Sequence, residues 1–179
     1  MSDEGAERRP RRRLSPRARR TLLTAHILVS VGLFGDVAGF LAVAIRAAGT
    51  EDPEVARASY DILAMFSTFL GIPLSFAALL TGIGLGLGTK WGVLRYPWTT
   101  AKLVLLVTVI LMGAFVLGPS VEQMRDGSGG TEGRILVGGG WDLAALATAT
   151  VLAVFKPGGA RGSKRGRMPS QRKALTGAG

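Results

Sequence analysis

The sequence predicts an all-α fold, a transmembrane four-helix bundle that runs antiparallel and up-down with both termini in the cytoplasm. Three observations lead there. Apolar residues concentrate in four long stretches, and the charged residues, 19% of the chain, crowd between and outside them. The mean hydropathy of +0.33 is high for a water-soluble domain. The basic residues are also uneven. The two tails and the 88–98 link carry seventeen Lys and Arg, whereas the 46–59 and 119–134 loops carry four, Arg46, Arg57, Arg125 and Arg134. Basic loops stay on the cytoplasmic side of a membrane, which sets the orientation and points to the inner (plasma) membrane.

The elements follow in order. Residues 1–20 hold eight Arg, three acids and no apolar run, and read as a disordered basic tail. The tail has no aromatic residue to stack on bases, so a nucleic-acid partner is not expected. The first helix is expected over about 21–45, long enough to cross a hydrocarbon core of about 30 Å with some tilt. It exceeds the apolar core of a cleaved signal peptide. A polar loop at 46–59 precedes the second helix, about 61–87, which Pro73 should kink near its middle.

That helix ends in TGIGLGLG. The pairs Gly82/Gly86 and Gly84/Gly88 have the small-xxx-small spacing that lets helices approach closely, and a homo-oligomer built on them is one expectation. The run is not a phosphate loop, because no Gly-Lys-Ser/Thr follows it. A short link at 88–98 leads to the third helix, about 98–117, which stops at Gly118-Pro119. A Gly-rich loop at 119–134 leads to the fourth, about 135–155, and residues 156–179 form a second disordered basic tail. Both tails should attract anionic lipid headgroups, at about 1 kcal/mol per basic residue near the surface. Trp91, Tyr96 and Trp98 should lie at one membrane interface, and Tyr60 and Trp141 near the other. The short connections favour sequential antiparallel packing.

Composition removes several chemistries. The chain has no Cys, which excludes disulfides, Cys-ligated zinc, iron–sulfur clusters and thiol nucleophiles, and its one His excludes a multi-imidazole site. A single His at one end of the bundle forms no serine triad with Ser67, Thr68, Ser75 or Thr81. The loops are too short to shape a sugar cleft, and the five Met are too scattered for a copper site. No catalytic set is evident.

Four ionisable residues inside the spans remain: His26, Asp36, Lys102 and Asp142. A charge at the bilayer centre costs about 2.5–3.5 kcal/mol on insertion scales, so each needs a reason. His26 and Lys102 lie near the cytoplasmic ends of two parallel helices, at similar depth. They are a candidate haem site, with His26 as axial ligand and Lys102 as second ligand or propionate partner, or else an ion and proton site. The plainer reading is a Lys102 that snorkels to the headgroups and a His26 bonded to a neighbouring helix. Asp36 lies ten residues, about 15 Å, beyond His26 and so near the bilayer centre. Asp142 sits about two turns into the fourth helix and can reach Asp36 or a water-filled cavity. The two are intramembrane polar residues suited either to proton relay or to structural hydrogen bonds.

The first helix, LLTAHILVSVGLFGDVAGFLAVA, and the segment LLTGIGLGLGTKWGVLRYPWTTAKLVLLV carry His then Ser-Val-Gly-x-x-Gly, Leu-Thr-Gly, Gly-Thr-Lys-Trp-Gly and Trp-x-x-x-Lys. With these motifs the chain, over roughly 21–155, resembles an uncharacterised family of small bacterial integral-membrane proteins. That family is distantly similar to the copper-resistance membrane domain and to the membrane protoporphyrinogen oxidase. The latter resemblance implies a His on the first helix and a Lys at the start of a later one as the important pair, matching His26 and Lys102, with haem b as cofactor. The copper link implies a metal that a lone His holds poorly.

Overall fold

In a computed structural model, the structure is described for residues 14–88, 97–130 and 132–155. All the secondary structure among them is helical, and four continuous helices are long and apolar enough to cross a membrane: α1 (Pro16–Ala48), α2 (Pro53–Gly88), α3 (Pro97–Arg125) and α4 (Glu132–Phe155). α1 packs chiefly on α2 and α4, and α3 packs on the same two, so the helices form a ring in chain order. The end where α1 begins and α4 finishes is termed proximal, and the opposite end distal.

Each helix extends beyond the apolar stretch that announces it. α1 starts at Pro16 rather than near residue 21, so Arg17, Arg19 and Arg20 are helical and not part of an irregular tail. The cause is local. The Ser15 hydroxyl accepts from the Ala18 amide at 3.2 Å, and Pro16 occupies the first turn, where a missing N–H costs nothing. α2 begins at Pro53, inside the expected 46–59 loop, because Asp52 Oδ1 caps the amides of Glu54 and Val55 at 2.9 and 3.4 Å. α3 continues through Pro119 to Arg125, well into the expected 119–134 loop. The distal α3–α4 turn uses Gly127 and Gly129 at φ 65° and 97°, a region open to glycine and strained for other residues. The remaining tail residues, 1–13 and 156–179, and the 89–96 part of the link with Lys90, Trp91, Arg95 and Tyr96, lie outside the described residues.

Two prolines reshape the helices without ending them. α2 is α-helical over Pro53–Met65, widens to a π-helix over Phe66–Gly71, and resumes as an α-helix at Ile72. The Ile72 amide bonds to the Ser67 carbonyl, five residues back. Pro73 follows directly. In α3 the π-helix spans Gly113–Leu117, the Gly118 amide bonds to the Gly113 carbonyl, and Pro119 follows. A proline ring clashes with the carbonyl one turn earlier, and the wider i→i−5 turn makes room for it. The expected effect of Pro73 on α2 is therefore a π segment, and Pro119, expected to end its helix, acts in the same way.

Packing follows membrane logic. Large apolar side chains such as Leu28, Phe69, Phe115 and Val137 face outward, while the interior is lined by two apolar layers. The distal layer is built on Phe40, Ala44, Tyr60, Leu63, Leu117 and Ile135, and all four helices contribute. The proximal layer centres on buried Leu33, Val37 and Ala78, with Leu74, Leu106, Leu143 and Leu146 packed against them. Tyr60 lies toward the distal end and is buried, at 4% exposure. Its hydroxyl donates to Glu132 Oε1 at 3.1 Å, a partner that lets a phenol be buried. Trp141 is half-exposed at the distal half of α4.

Candidate functional site: a carboxyl layer and a proximal histidine

Asp36 and Asp142 lie between the two apolar layers. On α1, Asp36 separates Leu33 of the proximal layer from Phe40 of the distal one; on α4, Asp142 separates Leu143 from Ile135. Their common level follows from helix register. A β-carbon at Gly139 would lie 3.4 Å from Leu41 Cδ1 and 3.6 Å from Phe40 Cδ1, so that turn of α4 faces that turn of α1. The helices are antiparallel, so one turn toward the proximal end brings Asp36 and Asp142 to the same height, on adjacent helices.

Both residues are buried, Asp36 at 8% and Asp142 at 3% exposure, and each has an Oδ1 with no hydrogen-bond partner. The other Asp36 oxygen rests on α2: a β-carbon at Gly71 would lie 3.2 Å from Oδ2 and 3.6 Å from the Phe66 carbonyl oxygen. A side chain at Gly71 would crowd the carboxyl against the π segment. Ser75, one turn further along the same face of α2, is also buried, and its hydroxyl donates to the Ile72 carbonyl at 2.9 Å. At 1–3 kcal/mol for each unpaired buried polar group, more when charged, the layer is costly as it stands. It resembles a site arranged for a proton, a cation or water, not a finished hydrogen-bond network.

His26 is arranged differently. Its Nδ1 lies 2.9 Å from Thr81 Oγ1. The Thr81 hydroxyl has one proton, and its shortest contact is the Ala77 carbonyl at 2.6 Å, so it donates there and accepts from His26. That assigns the Nδ1–H tautomer and leaves the lone pair on Nε2. The ring packs edge-on against α2, where a β-carbon at Gly82 would lie 3.2 Å from His26 Cε1. Lys102 is at the same proximal end, half-buried, with its Nζ 5.0 Å from the centroid of the Trp98 ring. It is within electrostatic reach of His26. α1 and α3 are diagonal in the ring, so the two side chains approach from opposite walls. The structure thus places His26 and Lys102 at one end, and Asp36 and Asp142 at one level further along the bundle.

Three of the four glycines expected to bind a second copy face the α1 segment within the chain. A β-carbon at Gly84 would lie 3.2 Å from Leu22 Cδ2, and Gly82 and Gly88 face His26 and Leu14 of the α1 segment. The small-xxx-small spacing therefore serves the α1–α2 contact. Sequence reasoning missed the roles of Thr81 and Gly71. Thr81 stands in the Leu-Thr-Gly motif, the one available signal; nothing in the sequence singles out Gly71.

A family model described as a predicted integral membrane protein, DUF2269, matches residues 20–157. The chain belongs to this DUF2269 family. The match spans all four helices and both polar sites. No curated protein and no solved structure matches the chain significantly. Membership in DUF2269 agrees with four apolar helices and leaves the chemistry to the residues themselves.

Proposed function

We propose that this protein is a small proton-translocating protein of the inner membrane, with Asp36 and Asp142 as the groups that take up and release the proton. The observation that carries the reading is the pair of buried carboxyls at one level, each with an unpartnered oxygen, closed above and below by apolar layers. Carboxyls in the interior of a spanning bundle are the usual material of proton relays. Two uncompensated negative charges there would be prohibitive, so the layer must be neutralised by what it binds. The basic tails orient the proximal end toward the cytoplasm.

The test is proton flux into liposomes under an imposed potential, followed with an enclosed pH dye. Asp36→Asn keeps the shape of the side chain and removes the exchangeable carboxyl, and flux should fall to the level of empty liposomes. Flux equal to that of the unmodified protein would remove Asp36 from the mechanism.

A second reading, a haem held at the proximal end, rests on the His26 tautomer. Thr81 fixes the ring through Nδ1 and leaves Nε2 as a ligand atom, the arrangement that metal-bound imidazoles use. Haem bound in this way would give protein purified in mild detergent a Soret band that His26→Ala abolishes. No band, with added haemin also failing to bind, would end that reading.

A further inference from the structure

The two apolar layers that close the carboxyl site are unequal. Among the described residues the distal layer holds eight buried apolar residues, whereas the proximal side holds five, Leu33, Val37 and Ala78 with Val109 and Ala145 beside them. The distal ends are also tied by polar bonds. Arg125 of α3 donates to Asp61 of α2 at 2.7 Å, and Tyr60 of α2 donates to Glu132 of α4 at 3.1 Å. On the proximal side most of the covering side chains, such as Leu74, Leu106 and Leu146, are only partly buried.

A break in the α-helical bonding of α2 stands at the boundary. The π segment Phe66–Gly71 and Pro73 lie at the level of Asp36, and Gly71 touches that carboxyl. Such interruptions are where helices bend. Everything in α2 beyond this break, Ile72–Gly88, belongs to the proximal half. This segment carries Leu74 and Ala78 of the proximal layer and Thr81, the partner of His26. Its seam with α1 runs over glycines 82, 84 and 88, which receive the side chains of His26, Leu22 and Leu14.

From this arrangement we infer that the α2 segment Ile72–Gly88 is a gate, hinged at the Phe66–Gly71 π turn and Pro73, that opens the carboxyl layer to the proximal side only. The inference rests on the proton reading above, for which it names the side of access. Swinging the segment outward removes Leu74 and Ala78 from the proximal layer together and exposes Asp36 along the face that Gly71 and Ser75 present. The distal ties stay in place, because they lie on the other side of the hinge. His26 holds the closed position through Thr81.

The absence of Cys makes the test direct, since single cysteines can be placed in the native chain. Ala78→Cys probes the gate and Ala44→Cys the distal layer, at positions 2% and 3% exposed. Each variant is treated in sealed vesicles with a membrane-impermeant methanethiosulfonate, from one face and then the other; proteolysis of the tails identifies the proximal face. The expected result is labelling of Ala78→Cys from the proximal face only, no labelling of Ala44→Cys from either face, and several-fold slower labelling of Ala78→Cys when Pro73→Ala is added. Labelling of Ala44→Cys from the distal face, or an Ala78→Cys inert from both, overturns the gate, and an unchanged rate with Pro73→Ala overturns the hinge. Labelling does not depend on flux, so a failure of the proton reading shows separately, as unaltered flux in Asp36→Asn.

Discussion

At the proximal end, His26 gives its ring N–H to a threonine hydroxyl that is itself bonded to a backbone carbonyl. About 15 Å further along the same helix, Asp36 shares a level with Asp142, and each leaves a carboxyl oxygen unpartnered although both are more deeply buried than His26. His26 is joined to a neighbouring helix through one ring nitrogen, whereas the buried Oδ1 atoms of the aspartates meet no partner. The His26 bond is explained by structure alone: it joins α1 to α2. The unpartnered pair is not, because an unpaired polar atom in the bundle interior costs free energy that a leucine there would not. The difference separates a side chain whose bond joins α1 to α2 from two side chains whose buried oxygens meet no partner.

Removing the carboxyl layer should produce the largest effect, and with an unusual sign. Asp142→Leu keeps the branching of the side chain and deletes the polar atoms. It should stabilise the protein by about 1–3 kcal/mol, the cost of an unsatisfied buried group, while abolishing proton flux. Reversible unfolding in mixed detergent micelles measures the first quantity and the liposome assay the second. A loss of stability would mean that the carboxyl is paired in the membrane, and the contrast with His26 would disappear.

The parts of this organisation legible in the sequence are those set by the solvent. Four spans, their order and their antiparallel run follow from where apolar residues stop and charged ones begin, since the bilayer selects for that directly. The four intramembrane ionisable residues stand out for the same reason. Helix ends were less legible: residues 53–59 and 119–125 contain enough polar residues to read as loops, yet Asp52 caps the first stretch into α2 and the second simply continues α3. Pairings were not legible at all. Hydropathy does not say which way a helix is turned, so it could not show that Asp36 meets Gly71, that Thr81 meets His26, or that the glycine run faces α1. Tyr60 illustrates the same gap. By type it suits an interface, and only the position of Glu132 across the bundle explains why it is buried.

The counterpart of the Asp142 change is Thr81→Val, the smaller of the two and opposite in sign. Valine keeps the branched shape and the packing against α1 but removes the acceptor for His26 Nδ1–H. Hydrogen bonds between membrane helices are worth about 0.6 kcal/mol on average and up to about 1.7, so a loss in that range is expected. The same unfolding measurement reads it, and a double-mutant cycle with His26→Ala isolates the pair, since the loss should vanish when the ring is absent. If Thr81→Val costs as much without His26 as with it, the hydroxyl serves only its own helix through the Ala77 carbonyl. The proximal site would then contain an uncompleted group as well, and His26, like the two aspartates, would need a ligand to account for it.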